Sequence, residues 1–367
     1  MDPRISNVIE DAGVFKFTLS NINVSLANAL RRTILTDIPC VVIKTETYET
    51  NQCQIQVNTS RLHNEIVKQR LSCIPIHTKD LNYLPENFQL EVDVKNATDN
   101  IIYVTTEHFK LKNKKTGAYL PTEEVHRIFP PCLRTNSYID FIRLRPKISD
   151  TIPGEQLKLT ADFSIGTAKE NGMFNAVSKC SYGNTPDMAK IDKIWSELEA
   201  KLRADEVTSN DIQFQKRNFM LLDAQRIFAP DSFDFVIQTV GVYENQEIVK
   251  MAAKILAEKF AKFVDELDSN IVSIINSETA INHCFDILLE NEDYTMGKAI
   301  EYILYEKYYE GDKTLDFCGF KKFHPHDVKS TIRIAFREPS DKTIAKQYVR
   351  FAANEAADIF KRIFKMF

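Results

Sequence analysis

Side chains able to do chemistry lie scattered along this chain of 367 residues. Seven cysteines stand singly, at Cys40, Cys53, Cys73, Cys132, Cys180, Cys284 and Cys318, with no C-x-x-C pair among them. That usage argues against a thiolate zinc site or a disulfide framework and fits a reducing compartment. Cys73 and His77 are close, but no second ligand pair follows, so they read as core and surface residues. In His324-Pro325-His326 the intervening proline, and the lack of a nearby carboxylate or thiol set, point to a turn entering a strand. Glu91-Val92-Asp93 offers two carboxylates, which two-metal phosphoryl transfer would need as a cluster, yet they sit in an alternating strand. No P-loop, G-x-S-x-G or H-E-x-x-H occurs. Lys112, Lys114 and Lys115 form a short basic run of the kind found in solvated turns. What remains is the tandem Arg31-Arg32 on an otherwise apolar helix, which is either a solvated edge or a contact for another chain. A planar guanidinium suits the second role, because it grips carboxylates and carbonyls across an interface.

The elements that position these arginines are legible. Val14 to Leu19 reads as a strand and Ser20 to Asn23 as a turn. A helix follows from Val24 to Thr36, with Leu26, Ala29, Leu30, Thr33 and Ile34 on one face, Asn23 as its cap and Asp37-Ile38-Pro39 as its end. Cys40 to Thr47 then alternates as a strand. The same order returns about 270 residues later: a strand ends at Leu289, a polar turn covers Glu290 to Asp293, and a helix runs from Tyr294 to Leu304. The shift sets Asn21 on Asn291, Leu26 on Met296, Ala27 on Gly297, Ala29 on Ala299 and Leu30 on Ile300. Each copy later gains a strand and a long amphipathic helix. Phe233, Phe235 and Ile237 precede Ile248 to Leu267, and Ile332, Ile334 and Phe336 precede Ile344 to Phe367. Two such units leave apolar faces uncovered, and each copy is the economical partner of the other.

Between the elements of the first copy lies a strand-rich insertion. Phe88, Leu90, Val92 and Val94 alternate, as do Ile139, Phe141 and Arg143, with turns at Lys115-Thr116-Gly117 and Pro130-Pro131. Met188 to Ala204 reads as a polar helix. The expected organisation is a discontinuous dimerisation domain (1–50 and 166–268), an inserted domain (51–165), a connector (269–282) and a smaller dimerisation domain (283–367). The fold class is α+β. At 44% apolar, 27% charged and net −4, the chain lacks the bulk basic excess of a nucleic-acid gripper. No stretch nears the ~18 apolar residues of a membrane span, and the N-terminus shows no apolar core of a signal peptide, so neither membrane residence nor secretion is expected.

This order resembles the α-subunit family of cellular RNA polymerases. Leu26-Ala27-Asn28-Ala29-Leu30-Arg31-Arg32-Thr33-Ile34-Leu35 is similar to the family's signature helix. Asn58 to Glu65, then Arg70-Leu71-Ser72-Cys73-Ile74-Pro75-Ile76, resembles the segment opening the inserted domain, with Ser72 and Cys73 where the family has Gly-Leu. Pro153 to Leu159, with Gly166 to Val177, resembles the stretch where the insertion rejoins. The last 85 or so residues resemble the smaller α-like partner through Glu290 to Gly297 and Phe317-Cys318-Gly319-Phe320 to His326. The resemblance implies two α-like subunits fused end to end, an arrangement similar to that of some large nucleocytoplasmic DNA viruses.

It further implies a non-catalytic assembly platform. Leu26, Ala29, Leu30, Ile34, Met296, Ala299, Ile300 and Leu304 would form an internal dimer seam. Asn28, Arg31, Arg32, Arg70, Leu71, Ile74 and Pro75 would contact the second-largest and largest subunits, and small zinc-ribbon-type subunits would join them. No cofactor or metal is expected on this chain, since the cysteines lack the family's cluster spacing; Mg²⁺ would sit on another subunit, and DNA would be met only through the complex. The DNA-binding C-terminal domain of the bacterial subunit has no counterpart here. The implied location is a viral factory in the cytoplasm or the virion, or the nucleus for a cellular protein. A stand-alone dimerisation or virion scaffold is the alternative.

Overall fold

A computed structural model describes residues 1–149, 151–279 and 281–367. Asp150, in the expected insertion, and Ala280, in the expected connector, lie outside the described residues. The N-terminal elements are β1 (Arg4–Asp11), β2 (Val14–Ser20), α1 (Val24–Thr36) and β3 (Cys40–Val42). Next come β4 (Cys53–Asn58), α2 (Asn64–Ser72), α3 (Tyr83–Asn87), β5 (Phe88–Lys95), β6 (Ile102–Thr105), β7 (Lys110–Asn113), α4 (Thr122–Ile128), β8 (Asp140–Leu144), β9 (Gln156–Asp162) and β10 (Ser164–Gly166). Then follow β11 (Val177–Pro186), α5 (Met188–Ala204), α6 (Ser209–Leu221), β12 (Phe228–Thr239) and α7 (Asn245–Asp268). The C-terminal elements are β13 (Ile274–Asn276), β14 (Cys284–Glu290), α8 (Tyr294–Leu304), β15 (Leu315–Lys321), β16 (Lys329–Phe336) and α9 (Lys342–Met366).

Two compact units result: residues 1–33, 179–238 and 249–367 form the first, and 34–178 with 239–248 form the second. The segments 34–50, 166–178 and 239–248, expected with the first dimerisation domain, thus belong to the unit built around the insertion.

In the first unit two four-stranded sheets share one order, β1-β2-β12-β11 and β13-β14-β16-β15. In each, a helix follows the second strand (α1, α8) and a longer one follows the strand paired with it (α7, α9). The repeat reaches the backbone. Asn21 and Asn291, related by the shift of 270, both take left-handed conformations, at φ 57° and 59°, which a short amide side chain tolerates. Two residues on, Asn23 Oδ1 accepts the Ser25 amide at 2.9 Å and Asp293 Oδ1 the Thr295 amide at 2.8 Å, each capping its helix. Phe15, Phe17 and Leu19 alternate inward on β2, Phe233, Phe235 and Ile237 on β12, and the Phe17 and Phe235 rings stack at 5.0 Å. The long helices meet face to face: Phe260 of α7 stacks on Phe360 of α9 at 5.9 Å, and Lys250 Nζ lies 5.1 Å from the Phe364 ring. Ala345, Ala352, Ala353, Ala356 and Ala357 keep the inner face of α9 slim and fully buried. Phe367 then reaches Phe15 and Phe17, at 6.1 and 5.2 Å. Helices α5 and α6 enclose a small core of Ile191, Trp195, Phe219 and Ala224.

The second unit contains a sheet of order β4-β9-β5-β7 and the pairs β6-β8 and β3-β10. Phe88, Leu90 and Val92 point into its core as their alternation suggests. The strand expected over Cys40 to Thr47 is only Cys40–Val42, paired to β10. The alternation of Ile139, Phe141 and Arg143 is corrected. Ile139 and Arg143 are exposed while Phe141, Ile142 and Leu144 are buried, because Ile142 opposes Val104 and Asp140 opposes the next residue, Thr105, so that Phe141 is an extra residue in β8 and the two-residue phase breaks there.

Candidate functional site

Two surfaces collect the candidate residues. In the first unit, Leu26, Ala29 and Leu30 of α1 are buried to within 1% of full occlusion, and Met296, Ala299, Ile300 and Leu304 of α8 to within 4%. Ile34, at the end of α1, is also buried but falls in the second unit. Gly297 of α8 lies against the Phe320 ring of β15 so closely that a Cβ there would stand 2.2 Å from it.

The tandem arginines face different neighbours. Arg32 donates through Nη2 to Asp293 Oδ2 at 2.7 Å and through Nε to Thr295 Oγ1 at 2.8 Å, so the cap and first turn of α8 hold the guanidinium of α1. Burial alone would raise the Asp293 carboxyl, but the Thr295 hydroxyl and amide, with the Arg32 charge, hold it below its ordinary value. Arg31 donates through Nε to Asn28 Oδ1 at 2.9 Å, and both residues are half-buried. Its charge bears on β11: burial pushes the Cys180 thiol up to about 12 and the Tyr182 hydroxyl upward, with Arg31 opposing both. Asp293 and Thr295 lie within the Glu290 to Gly297 motif, which assigns them no contact, although the shift that sets Asp293 on Asn23 marks it as a capping carboxylate.

In the second unit, Leu71 and Ile74 are core residues at 1% and 8% exposure, so their side chains present no surface. Pro75 is half-buried, and Arg70 is exposed, its Nη2 donating to the Asp140 carbonyl at 2.8 Å. Arg70 opens onto a cleft of about 320 Å³ that also gathers Arg61, Arg143, Arg145, Tyr103, Asp140 and Glu155 over a floor of Leu62 and Ile142. Glu155, almost fully buried, accepts the Arg145 amide at 2.7 Å and its Nε at 2.6 Å. Sequence spacing gave no sign of this cleft, because its arginines come from a turn, a helix end and a strand far apart in the chain.

The lone cysteines are mostly inert: burial pushes the Cys40 and Cys53 thiols up to about 11. Among the described residues, no three His, Cys, Asp or Glu side chains group to hold a metal, and no helix is long and apolar enough to cross a membrane.

Comparison with known proteins gives these surfaces a context. A family model described as the RNA polymerase Rpb3/Rpb11 dimerisation domain matches residues 16–260. The chain is 24% identical over 309 residues to the DNA-directed RNA polymerases I and III subunit RPAC1 of Bos taurus, covering 72% of this chain and 85% of that one. It is 26% identical over 267 residues to the DNA-directed RNA polymerase subunit Rpo3 of Pyrococcus furiosus, covering 69% and 92%.

Proposed function

The chain belongs to the RNA polymerase Rpb3/Rpb11 dimerisation-domain family, and from that premise we propose that it is a non-catalytic assembly subunit of a DNA-directed RNA polymerase. In this reading its two α-like halves pair within one chain and dock the second-largest and largest subunits, with small zinc-ribbon-type subunits completing the complex. The family model ends at residue 260. The assignment of the C-terminal segment as the partner half is carried by one observation, the recurrence of sheet order, helix placement and the left-handed asparagine at a shift of 270. Fusion would replace a bulk concentration by an effective one of order mM. Leu26, Ala29, Leu30, Met296, Ala299, Ile300 and Leu304 are assigned to the seam. Arg32 joins them, because its guanidinium is engaged with Asp293. Asn28, Arg31, Arg70 and Pro75 keep the docking role. Catalysis, with its Mg²⁺, is assigned to the large subunits, and the fused order supports a viral source acting in the cytoplasmic factory or virion.

The test is a tagged purification from the native source in moderately high salt, with mass spectrometry and an assay of template-dependent RNA synthesis. Two large subunits and activity are expected with the unaltered chain, and Arg31→Glu should reduce their recovery about tenfold while leaving the fold intact. Recovery of a lone, inactive chain would replace this reading by a stand-alone scaffold.

A further inference from the structure

The cleft beside α2 carries more positive charge than the second unit uses. Tyr103 and Arg143 stand directly opposite each other on β6 and β8, both facing outward, and Arg145 follows on the same face two residues on. Arg61 enters from the turn before α2 and Arg70 from its last turn. Of the two carboxylates in the cleft, Glu155 is already held by Arg145 on both of its oxygens. Arg70 spends one donor on a backbone carbonyl, and among the described residues no carboxylate lies within ion-pair distance of Arg61, Arg70 or Arg143. Three guanidiniums therefore converge on a cleft whose one further carboxylate is Asp140, an excess of positive charge in a chain whose overall charge is −4. Like charges gathered at one place repel unless an anion joins them, and planar forks select carboxylates or phosphates.

We propose that this cleft receives an acidic segment of a partner polypeptide, with adjacent carboxylates taken by Arg61, Arg70 and Arg143 and an apolar side chain set against Tyr103. The floor decides between a peptide and a nucleic acid. Leu62 and Ile142 line the cleft, its volume of about 320 Å³ suits a few side chains, and an apolar floor with carboxylates beside it is unlike the basic groove that tracks a phosphate backbone. The inference deepens the proposed docking role of Arg70 and rests on it in naming the partner as a polymerase subunit.

The experiment replaces Tyr103 with the photo-crosslinker p-benzoylphenylalanine in the full-length tagged chain, expressed in its native source. Crosslinks are mapped by mass spectrometry with and without Arg61→Glu and Arg143→Glu, two exposed side chains. The expected product is a stretch of a large subunit carrying neighbouring Asp or Glu, reduced about tenfold by the double reversal. A crosslink to a segment without carboxylates or to nucleic acid, or no crosslink while the large subunits are recovered, overturns the proposal and leaves the assembly role standing. Failure to recover the large subunits at all removes the assembly role. In that event an acidic segment of another identified chain still supports the cleft, and no crosslink overturns it.

Discussion

Arg32 and Asp293 stand 261 residues apart and meet at 2.7 Å. The carboxylate does two tasks at once, capping α8 through the Thr295 amide and neutralising the guanidinium of α1. Adjacent arginines on one helix thereby take opposite roles, since Arg31 turns to Asn28 and the neighbourhood of β11. Because the Asp293 carboxyl is held below its ordinary value of 3.8, its contribution to stability is complete above that pH and is lost as pH falls through the depressed value. Asp293→Asn keeps a capping oxygen but removes the ion pair. Urea unfolding should show a loss of about 0.5–1 kcal/mol at neutral pH, shrinking in acid. An unchanged acid limb in the variant would show that the pair adds nothing to the folded state.

Elements with strong periodicity were legible, and those without it were not. Val24–Thr36, with its apolar face, cap and following proline, Tyr294–Leu304, which repeats it after a polar turn, and the polar Met188–Ala204 are helices as expected. Strand β1 gave no signal because nearly every residue of Arg4–Asp11 is exposed, leaving no alternation to read. Helix α6 was missed for a related reason: Phe214 is 64% exposed and Leu221 63%, so its apolar residues do not mark one buried face. The arginine cleft could not be read from spacing, since it is assembled by strand pairing across the insertion. Tighter packing distinguishes the second copy at Gly297, where the first has Ala27. Gly297→Ala should cost about 1–3 kcal/mol in thermal or urea unfolding by driving a methyl into the Phe320 ring, and Phe320→Leu should recover part of it. Neutral behaviour of the single variant would mean that the α8–β15 contact has room to give.

Across the first unit, the ends of the chain are drawn together. Phe367 packs on Phe15 and Phe17, Arg362 donates to the Met1 carbonyl at 2.6 Å, and α7 and α9 share the Phe260–Phe360 stack. The connector adds a short strand, Ile274–Asn276, to β14, while Ile271 before it is 70% exposed. Glu278 and Thr279 are exposed beyond that strand and are a suitable place to cut. In the proposed assembly the C-terminal segment is held as a partner half by packing and not only by the covalent link. The most direct measurement inserts a protease site between Glu278 and Thr279, cleaves the purified chain and follows it by size-exclusion chromatography in high salt. The fragments are expected to co-elute at the volume of the intact chain, because aromatic and aliphatic burial survives salt that screens surface charge. Separate elution of the two fragments would show that the covalent link alone keeps the C-terminal segment in place.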